Sequence, residues 1–474
     1  MHNGNFIKNM NILKKGIKYI HDLQPFVLPV SIISSLFKAI SPFINIYMSA
    51  RIIDELIGHK NVKRLIYLVL LTIGADLIIH LVSTGLDHLM LFLRKITDMN
   101  MEMKLSEKII NMDYEDVENP DIHKLRTKIA ESSNMSGGGI DSLIRSVGDM
   151  SKSIVTVVTS IFMVTDLFKV HAKSACYLPF INSRLFSFGF LILILAVTIF
   201  SLKIETKSDK VSFSYFNSMM DINRLFSFYF DILMDYNSGK EIRLCNEKEV
   251  LHEEVGSFLS GSKKVFNDLG KSEGKYSGFE ALIMSVLSGA VYIFVGLKAI
   301  IGTITIGSIV QYAGSINQFM TGSKDFLSSI NSIINNNQYL KLYIDFINIK
   351  SKKHIGKIPV EKRDDNEYKI EFKSVSFKYP GTETYALKNV SLKLKIGERL
   401  AIVGMNGSGK TTFIKLLCRL YDPCEGEILL NGINIKKYDY DEYMKLFSIV
   451  FQDFRLFSFS LGQNVAASVK YDNK

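Results

Sequence analysis

Long apolar runs occupy the first two thirds of the chain, and they limit the folds that it can adopt. Of the 474 residues 47% are hydrophobic, but the runs gather before about residue 325 and thin out afterwards. A bilayer core needs roughly 20 consecutive, mostly apolar residues per helix. Six stretches fit: 26–48, 65–85, 151–167, 185–202, 281–301 and 306–326. We therefore predict an all-α, six-helix transmembrane domain over residues 1–345.

The two ends of this region are less clear-cut than its middle. The sixth stretch contains IGSIVQYAGSINQFM, whose Gly, Ser, Gln and Asn residues also fit a buried helix of a soluble domain. The basic N-terminus leads into the first run, which is too long for the apolar core of a signal peptide. We therefore interpret the first run as a retained membrane span.

The connections between the spans alternate between short and long. The long ones, 86–150 and 203–280, keep helical periodicity, and in the first of them Leu91, Ile96, Met101, Leu105 and Ile109 share a helix face. We therefore predict two long helical loops in which transmembrane helices continue into water. The 86–150 loop holds eight Lys and Arg residues against four and three in the opposite short loops, which modestly favours a cytoplasmic location.

Net charge and cysteine spacing argue against nucleic-acid binding and against a metal site made of cysteines. The net charge of +10 comes from residues between apolar runs, without a basic stripe and interleaved aromatics, so we expect no nucleic-acid partner. The four cysteines lack paired metal spacing and are interpreted as reduced thiols: Cys176, Cys245, Cys418 and Cys424.

The pattern changes after a polar, charged linker at 346–366. Apolar residues then alternate with polar ones, as at Ile370 and Phe372 and again from Val390 to Leu394, which predicts antiparallel edge strands. Residues 367–474 are therefore predicted to begin an α/β domain. Its next apolar segment, 399–403, is predicted to be a strand.

A phosphate-binding loop follows that segment at 404–411, where GMNGSGKT matches G-x-x-x-x-G-K-[ST] and precedes a helical segment. Glycines at 404, 407 and 409 would let main-chain N–H groups turn toward phosphate oxygens. Lys410 would reach the β- and γ-phosphates, and the Thr411 hydroxyl would ligate Mg²⁺. The alternative is a glycine-rich turn with a solvated lysine. ATP is available in the cytoplasm, so the motif places both termini and both long loops there.

These residues resemble the ABC transporter superfamily, specifically exporters that fuse six transmembrane helices to an ATP-binding P-loop NTPase domain. VSFKYPGTETYALKNVSLKLKIGERLAIVG resembles the family's opening strands, DPCEGEILLNGINI its hairpin, and SIVFQDFRLFSFSLGQNV its Q-loop region. The resemblance implies that Tyr379 stacks on adenine, although a strand-edge tyrosine is the alternative, and that Gln452 contacts Mg²⁺. The implied nucleotide-binding residues are Tyr379, Gly404, Asn406, Gly407, Ser408, Gly409, Lys410, Thr411, Thr412 and Gln452.

Segments 111–125 and 224–246 resemble the family's coupling helices, through Tyr114, Asn119-Pro120 and Gly239-Lys240-Glu241-Ile242-Arg243. Solvated helix turns are the alternative. The family's signature loop, Walker B Asp with its catalytic Glu, and switch His do not follow Gln452. We therefore expect a C-terminally truncated domain that binds ATP and Mg²⁺, has no assignable catalytic base and does not hydrolyse ATP alone.

The resemblance implies a half-transporter in the plasma membrane, surrounded by lipid, that pairs with a second half as a homodimer or heterodimer. It would couple ATP binding and hydrolysis to export of a peptide, lipid or amphiphilic compound. The alternative is a non-catalytic ATP-binding subunit that regulates a partner transporter. Asp76 and His80 lie one turn apart within the second span, where they either act in transport or stabilise packing.

Overall fold

The computed structural model describes residues 2–58, 60–134, 138–169, 183–351, 353, 356–361, 368–395, 398–451 and 454–468. Two units can be distinguished, one formed by Met1–Ser106 with Leu125–Ile347 and the other by Glu107–Lys124 with Asn348–Lys474.

Every regular element described in the first unit is a helix. Its helices are α1 (His2–Leu23), α2 (Val27–Ile57), α3 (Val62–Ile110), α5 (Pro120–Asn134), α6 (Ile140–Lys169), α7 (Arg184–Met234), α8 (Ser238–Leu244), α9 (Lys248–Ile300) and α10 (Ile306–Ile347). The last residues of α3 and the first residues of α5 belong to the second unit. The four-residue helix α4 (Tyr114–Val117), which lies between them in the sequence, belongs to it as well.

Five helices of the described chain are long and apolar enough to cross a membrane: Val27–Ile57, Val62–Ile110, Ile140–Leu167, Leu185–Ser212 and Lys248–Ile300. They cover the first five predicted spans to within one residue at each end. Helix α10 covers the sixth predicted span but is not among the five because of its polar residues, so the sixth crossing remains a prediction.

The prediction that the long loops are helical is confirmed. Helices α3, α7 and α9 have 49, 51 and 53 residues. At about 1.5 Å per residue each exceeds a hydrocarbon core of about 30 Å by a factor of two or more. The periodicity of these segments therefore does correspond to helices that continue past their apolar portions.

Packing within the first unit joins α6 to α2 and α10, and α7 to α9. The buried apolar core includes Val164, Ile194, Val291 and Ile316. Helices α2 and α6 approach closely at Gly148, where an added Cβ would lie 2.6 Å from the Ser31 hydroxyl oxygen. Small residues at such crossings let membrane helices pack without a water-driven hydrophobic effect.

The second unit is built on a four-stranded antiparallel sheet with the order β2-β1-β3-β4. The strands are β1 (Lys369–Phe377), β2 (Leu387–Lys395), β3 (Glu425–Leu430) and β4 (Ile433–Asn434), and the helices are α11 (Lys410–Leu417), α12 (Tyr440–Met444) and α13 (Leu461–Ala466). The predicted antiparallel strands and the hairpin are confirmed, but β1 is an inner strand paired with β2 and β3, so of the two predicted edge strands only β2 lies at an edge. Helix α11 packs on the sheet through Phe413, whose ring stacks on Phe372 at 4.7 Å.

The predicted strand at 399–403 is wrong, because these residues form no strand in the described structure. No described strand lies beside the segment to bond its N–H and C=O groups, and the side chain of Val403 is 88% exposed. An isolated extended segment lacks the ladder partners that define a strand. Its apolar composition therefore did not suffice to form one here.

Most residues of the predicted linker belong to the second unit. The N–H groups of Lys357 and Ile358 donate to the Lys437 carbonyl at 3.1 and 3.0 Å, and the Asp439 N–H donates to the Ile358 carbonyl at 2.8 Å. Lys353, only 2% exposed, donates its ammonium to the carbonyls of Arg419 (2.9 Å) and Leu420. These bonds tie the chain before β1 to residues 437–439 and to the residues just after α11.

Candidate nucleotide site

The phosphate loop uses glycine where the main chain turns into the left-handed region. Gly407 and Gly409 have φ of +82° and +88°, and Gly409 is the residue that precedes α11. A Cβ at Gly409 would also lie 2.8 Å from the Ala386 carbonyl oxygen. L-residues rarely adopt this conformation, so the sequence G-S-G sets the path of the loop.

Helix α11 begins at Lys410 and directs its first N–H groups, which have no partner within the helix, toward the loop. The Lys410 ammonium donates to the carbonyls of Gly404 (2.7 Å) and Met405 (2.9 Å), so the side chain folds back over its own loop. Residues 401–408, which include Asn406 and Ser408, are exposed, and so is Thr411. Exposed N–H groups, a helix N-terminus and an ammonium together form a site that attracts phosphate.

Tyr379 lies beside the first turn of this helix. Its hydroxyl and that of Thr412 are 3.0 Å apart, and the Thr412 side chain is buried. The half-buried Tyr379 ring meets Phe377 edge-on at 5.1 Å and Tyr421 edge-on at 5.4 Å. The structure thus brings Tyr379 to Thr412, in the first turn of the helix that follows the phosphate loop. Gln452 lies outside the described residues, and the role of Tyr379 in stacking on adenine remains a prediction.

The 111–125 segment contributes a charged group to the same unit. Glu118, just after α4, accepts hydrogen bonds from the hydroxyls of Tyr114 and Tyr421 and from the Lys415 ammonium, the last at 3.1 Å. We call these four residues the Glu118 cluster. Sequence reasoning named Tyr114 but missed Glu118, Lys415 and Tyr421, which no motif distinguishes from other acidic, basic and aromatic residues.

The electrostatics of the Glu118 cluster favour a charged pair. Burial opposes ionisation of the Glu118 carboxyl, but the hydrogen bonds from Tyr114, Tyr421 and Lys415 outweigh it and lower its pKa. Burial likewise opposes the charged form of Lys415, whose pKa is nevertheless raised by its bond to Glu118. The pKa of Tyr421 is raised by burial and by its bond to the carboxylate. At neutral pH the cluster therefore holds a carboxylate and an ammonium.

The other predicted coupling segment, 224–246, begins within α7 and then contains the short helix α8, which belongs to the first unit. The Arg243 guanidinium donates to the Gly239 carbonyl at 2.7 Å, and Tyr236 and Leu244 at the two ends are 82% and 86% exposed. A short helix is thus confirmed at this position, and its coupling role stays a prediction.

The intramembrane pair lies on α3. Asp76 is half-buried with one buried carboxylate oxygen that accepts no hydrogen bond from the described residues, whereas His80 is exposed. The structure brings no further predicted site residue to them. Across the described ranges no group of three or more His, Cys, Asp or Glu side chains could hold a metal ion.

Comparison with known proteins identifies a family and relatives to which this chain is similar. Residues 387–473 match the family model described as ABC transporter. The subtilin transport ATP-binding protein SpaT of Bacillus subtilis is 30% identical over 468 residues, covering 96% of this chain and 70% of SpaT. The nisin transport ATP-binding protein NisT of Lactococcus lactis subsp. lactis is 22% identical over 467 residues, covering 98% of this chain and 73% of NisT.

Among solved structures, a bacterial Atm1-family ABC exporter with ATP bound shares the fold. Its TM-score is 0.67 at 17% identity, covering 92% of this chain and 73% of that one. Three observations indicate the same family: the phosphate loop, the apolar helices and a relative matched along nearly the whole chain. The protein belongs to the ABC transporter family, as a half-transporter of the exporter type that carries its membrane domain and its nucleotide-binding domain on one chain.

Proposed function

We propose that this half-transporter binds ATP at residues 404–412 and couples ATP binding and hydrolysis to export of a peptide, lipid or amphiphilic compound. The observation that carries the proposal is the geometry at the start of α11, where left-handed glycines precede free helix N–H groups and Lys410. Two relatives matched over nearly the whole chain transport subtilin and nisin, which favours a peptide among the three cargo classes.

Each group at the site has a task in ATP binding. The main-chain N–H groups at the start of α11 would bind phosphate oxygens, and Lys410 would exchange two carbonyls for the β- and γ-phosphates. The Tyr379 ring would stack on adenine. The exposed Thr411 hydroxyl would hold Mg²⁺, which neutralises phosphate charge, with Gln452 as its expected second ligand. Asn406 and Ser408 belong to the loop itself, and Thr412 supports it from the first turn of α11.

A complete exporter needs two such chains, because six spans and one phosphate loop make half of the machine. We infer a homodimer or a heterodimer with a second half-transporter, embedded in plasma-membrane lipid with its nucleotide-binding domains in the cytoplasm. ATP bound between two nucleotide-binding domains would favour one conformation of the membrane helices, and hydrolysis would restore the other.

The test is Lys410→Ala, measured as ATP affinity in detergent and as ATP-dependent cargo uptake by inverted vesicles. Removing a charged hydrogen-bond donor costs about 1.5–3 kcal/mol, so we expect ATP affinity to fall by about 10- to 150-fold. Lys395→Ala is the matched control, because Lys395 is an exposed lysine on β2 in the same unit. Unchanged affinity in Lys410→Ala would overturn the ATP site. Normal ATP binding without transport by the assembled dimer would favour the regulatory subunit instead.

A further inference from the structure

We propose that Glu118 is a positioning residue for the nucleotide base, because it fixes the aromatic side chains against which Tyr379 is held. The proposal rests on the ATP site proposed above and adds a residue from the 111–125 segment to it. Since 107–124 and 348–474 form one unit, all the contacts that carry the inference lie within that unit.

The first step is the way in which Glu118 uses both of its carboxylate oxygens. Oε1 accepts from the Tyr114 hydroxyl and, at 3.1 Å, from the Lys415 ammonium, whereas Oε2 accepts from the Tyr421 hydroxyl. The three donors come from α4, from α11 and from the segment after α11. One carboxylate thereby fixes three side chains from different parts of the unit.

The second step leads from these donors to Tyr379. The Tyr421 side chain is fully buried, and its ring meets Tyr379 at 5.4 Å with an interplanar angle of 87°. The Lys415 ammonium lies 5.7 Å from the centre of the Tyr379 ring and 5.6 Å from that of Tyr421. Glu118 itself does not touch Tyr379, so its effect passes through Tyr421 and Lys415.

The third step is the independent attachment of Tyr379 at its other end. The Tyr379 hydroxyl pairs with Thr412 at 3.0 Å, on the helix that carries Lys410. The ring is thus fixed at its hydroxyl by the phosphate-loop helix and along its edge by Tyr421. If Glu118 no longer holds Tyr421 and Lys415, the ring loses its second constraint while the phosphate loop keeps its own bonds.

The consequence is a separation between base binding and phosphate binding. Stacking on adenine depends on the plane of the Tyr379 ring, whereas the triphosphate is bound by N–H groups and Lys410. Loss of the Glu118 contact should therefore weaken the binding of ATP and spare the binding of inorganic triphosphate, which has no base to stack. A residue that only maintains the fold would weaken both ligands together.

The experiment measures the affinities of ATP and of inorganic triphosphate for the full chain in detergent. Base stacking on an aromatic residue accounts for roughly 5- to 150-fold in affinity, so we expect Glu118→Gln to weaken ATP binding about tenfold. Triphosphate binding should change less than about twofold. Glu115→Gln is the matched control, since Glu115 is an acidic residue of α4 outside the Glu118 cluster. It should leave both affinities unchanged.

Tyr421→Phe is the second variant, because it keeps the buried ring and removes only the hydroxyl that donates to Glu118. It should show the same ATP-selective loss, and it tests the proposal even where Glu118→Gln fails to fold. The proposal is overturned by an equal loss for both ligands, by no loss for either, or by the same selective loss in Glu115→Gln. Unchanged ATP binding in Lys410→Ala would instead overturn the ATP site itself.

Discussion

Replacing Lys353 by methionine removes a buried ammonium from the end of the phosphate-loop helix while keeping the length of the side chain. Lys353 is 2% exposed and donates to the carbonyls of Arg419 and Leu420. Methionine fills the same space but donates no hydrogen bond, so two main-chain oxygens just after α11 lose their charged donor.

The size of the effect follows from two opposing contributions. A hydrogen bond from a charged donor contributes about 1.5–3 kcal/mol, and two are lost. Against this, burial disfavours the ammonium and lowers the pKa of Lys353, so its removal also relieves a desolvation cost. We expect the free energy of unfolding of this unit to fall by about 2–4 kcal/mol.

The assay uses Cys418, which is 1% exposed beside the carbonyls that Lys353 binds. Burial raises the pKa of its thiol to about 11, so the closed state is doubly protected from maleimide. In a background in which the other cysteines are serine (Cys176, Cys245 and Cys424), the labelling rate reports opening of this region. We expect Lys353→Met to raise that rate by about 30- to 1,000-fold.

Lys357→Met is the matched control, because Lys357 lies on the same segment, its side chain is exposed and its main-chain N–H bonds to the Lys437 carbonyl, a bond that methionine retains. It should leave the labelling rate within about twofold of the parent. A Lys353→Met rate within about threefold of the parent would refute the capping argument, as would an equal acceleration in Lys357→Met.

Three further outcomes are expected. Gly409→Ala should abolish ATP binding, because its Cβ would lie 2.8 Å from a main-chain oxygen. The control Gly432→Ala, at a similar φ but with open space around the Cβ, should lower the free energy of unfolding by about 1–2 kcal/mol and leave ATP affinity unchanged. Equal effects of the two variants on ATP affinity would contradict this. Maleimide at pH 7 should label exposed Cys424 at least tenfold faster than Cys418 in single-cysteine chains; comparable rates would show that the helix end opens readily. Because the pKa of Glu118 is lowered in the folded state, its stabilisation is fully present above its ordinary value of 4.5 and is lost as pH falls from 4.5 through the lower folded-state pKa. The melting temperatures of parent and Glu118→Gln should therefore differ by a constant amount near neutral pH and converge as pH falls below 4.5, and a difference that persists at lower pH would contradict the assignment.

Local sequence sufficed for the helices and the phosphate loop because both depend on short-range physics. Apolar length and helical period predict α2, α3, α6, α7 and α9 whatever packs beside them. The glycines of the loop adopt left-handed φ that other residues avoid. Alternation along β1 and β2 likewise predicts an antiparallel pair, which the register Ile370 to Leu394 confirms.

Strand formation at 399–403 could not be judged in the same way, because a strand exists only through its neighbours. The segment has the apolar composition of a buried strand, yet Leu400 and Val403 are 59% and 88% exposed and no described strand pairs with it. The partners that its main-chain N–H and C=O groups require must come from outside the segment, so the segment's own sequence cannot reveal them.

What the sequence determined about this protein is therefore its class: membrane-spanning helices followed by a domain with a phosphate loop. Only the tertiary structure decided which ordinary residues support that loop. Glu118 precedes Lys415 by 297 positions in the sequence and Tyr421 by 303. Lys353, from a polar stretch, is buried beside the residues that follow α11. Periodicity and motifs report local preference, whereas contacts between residues so far apart in sequence form only when the chain folds.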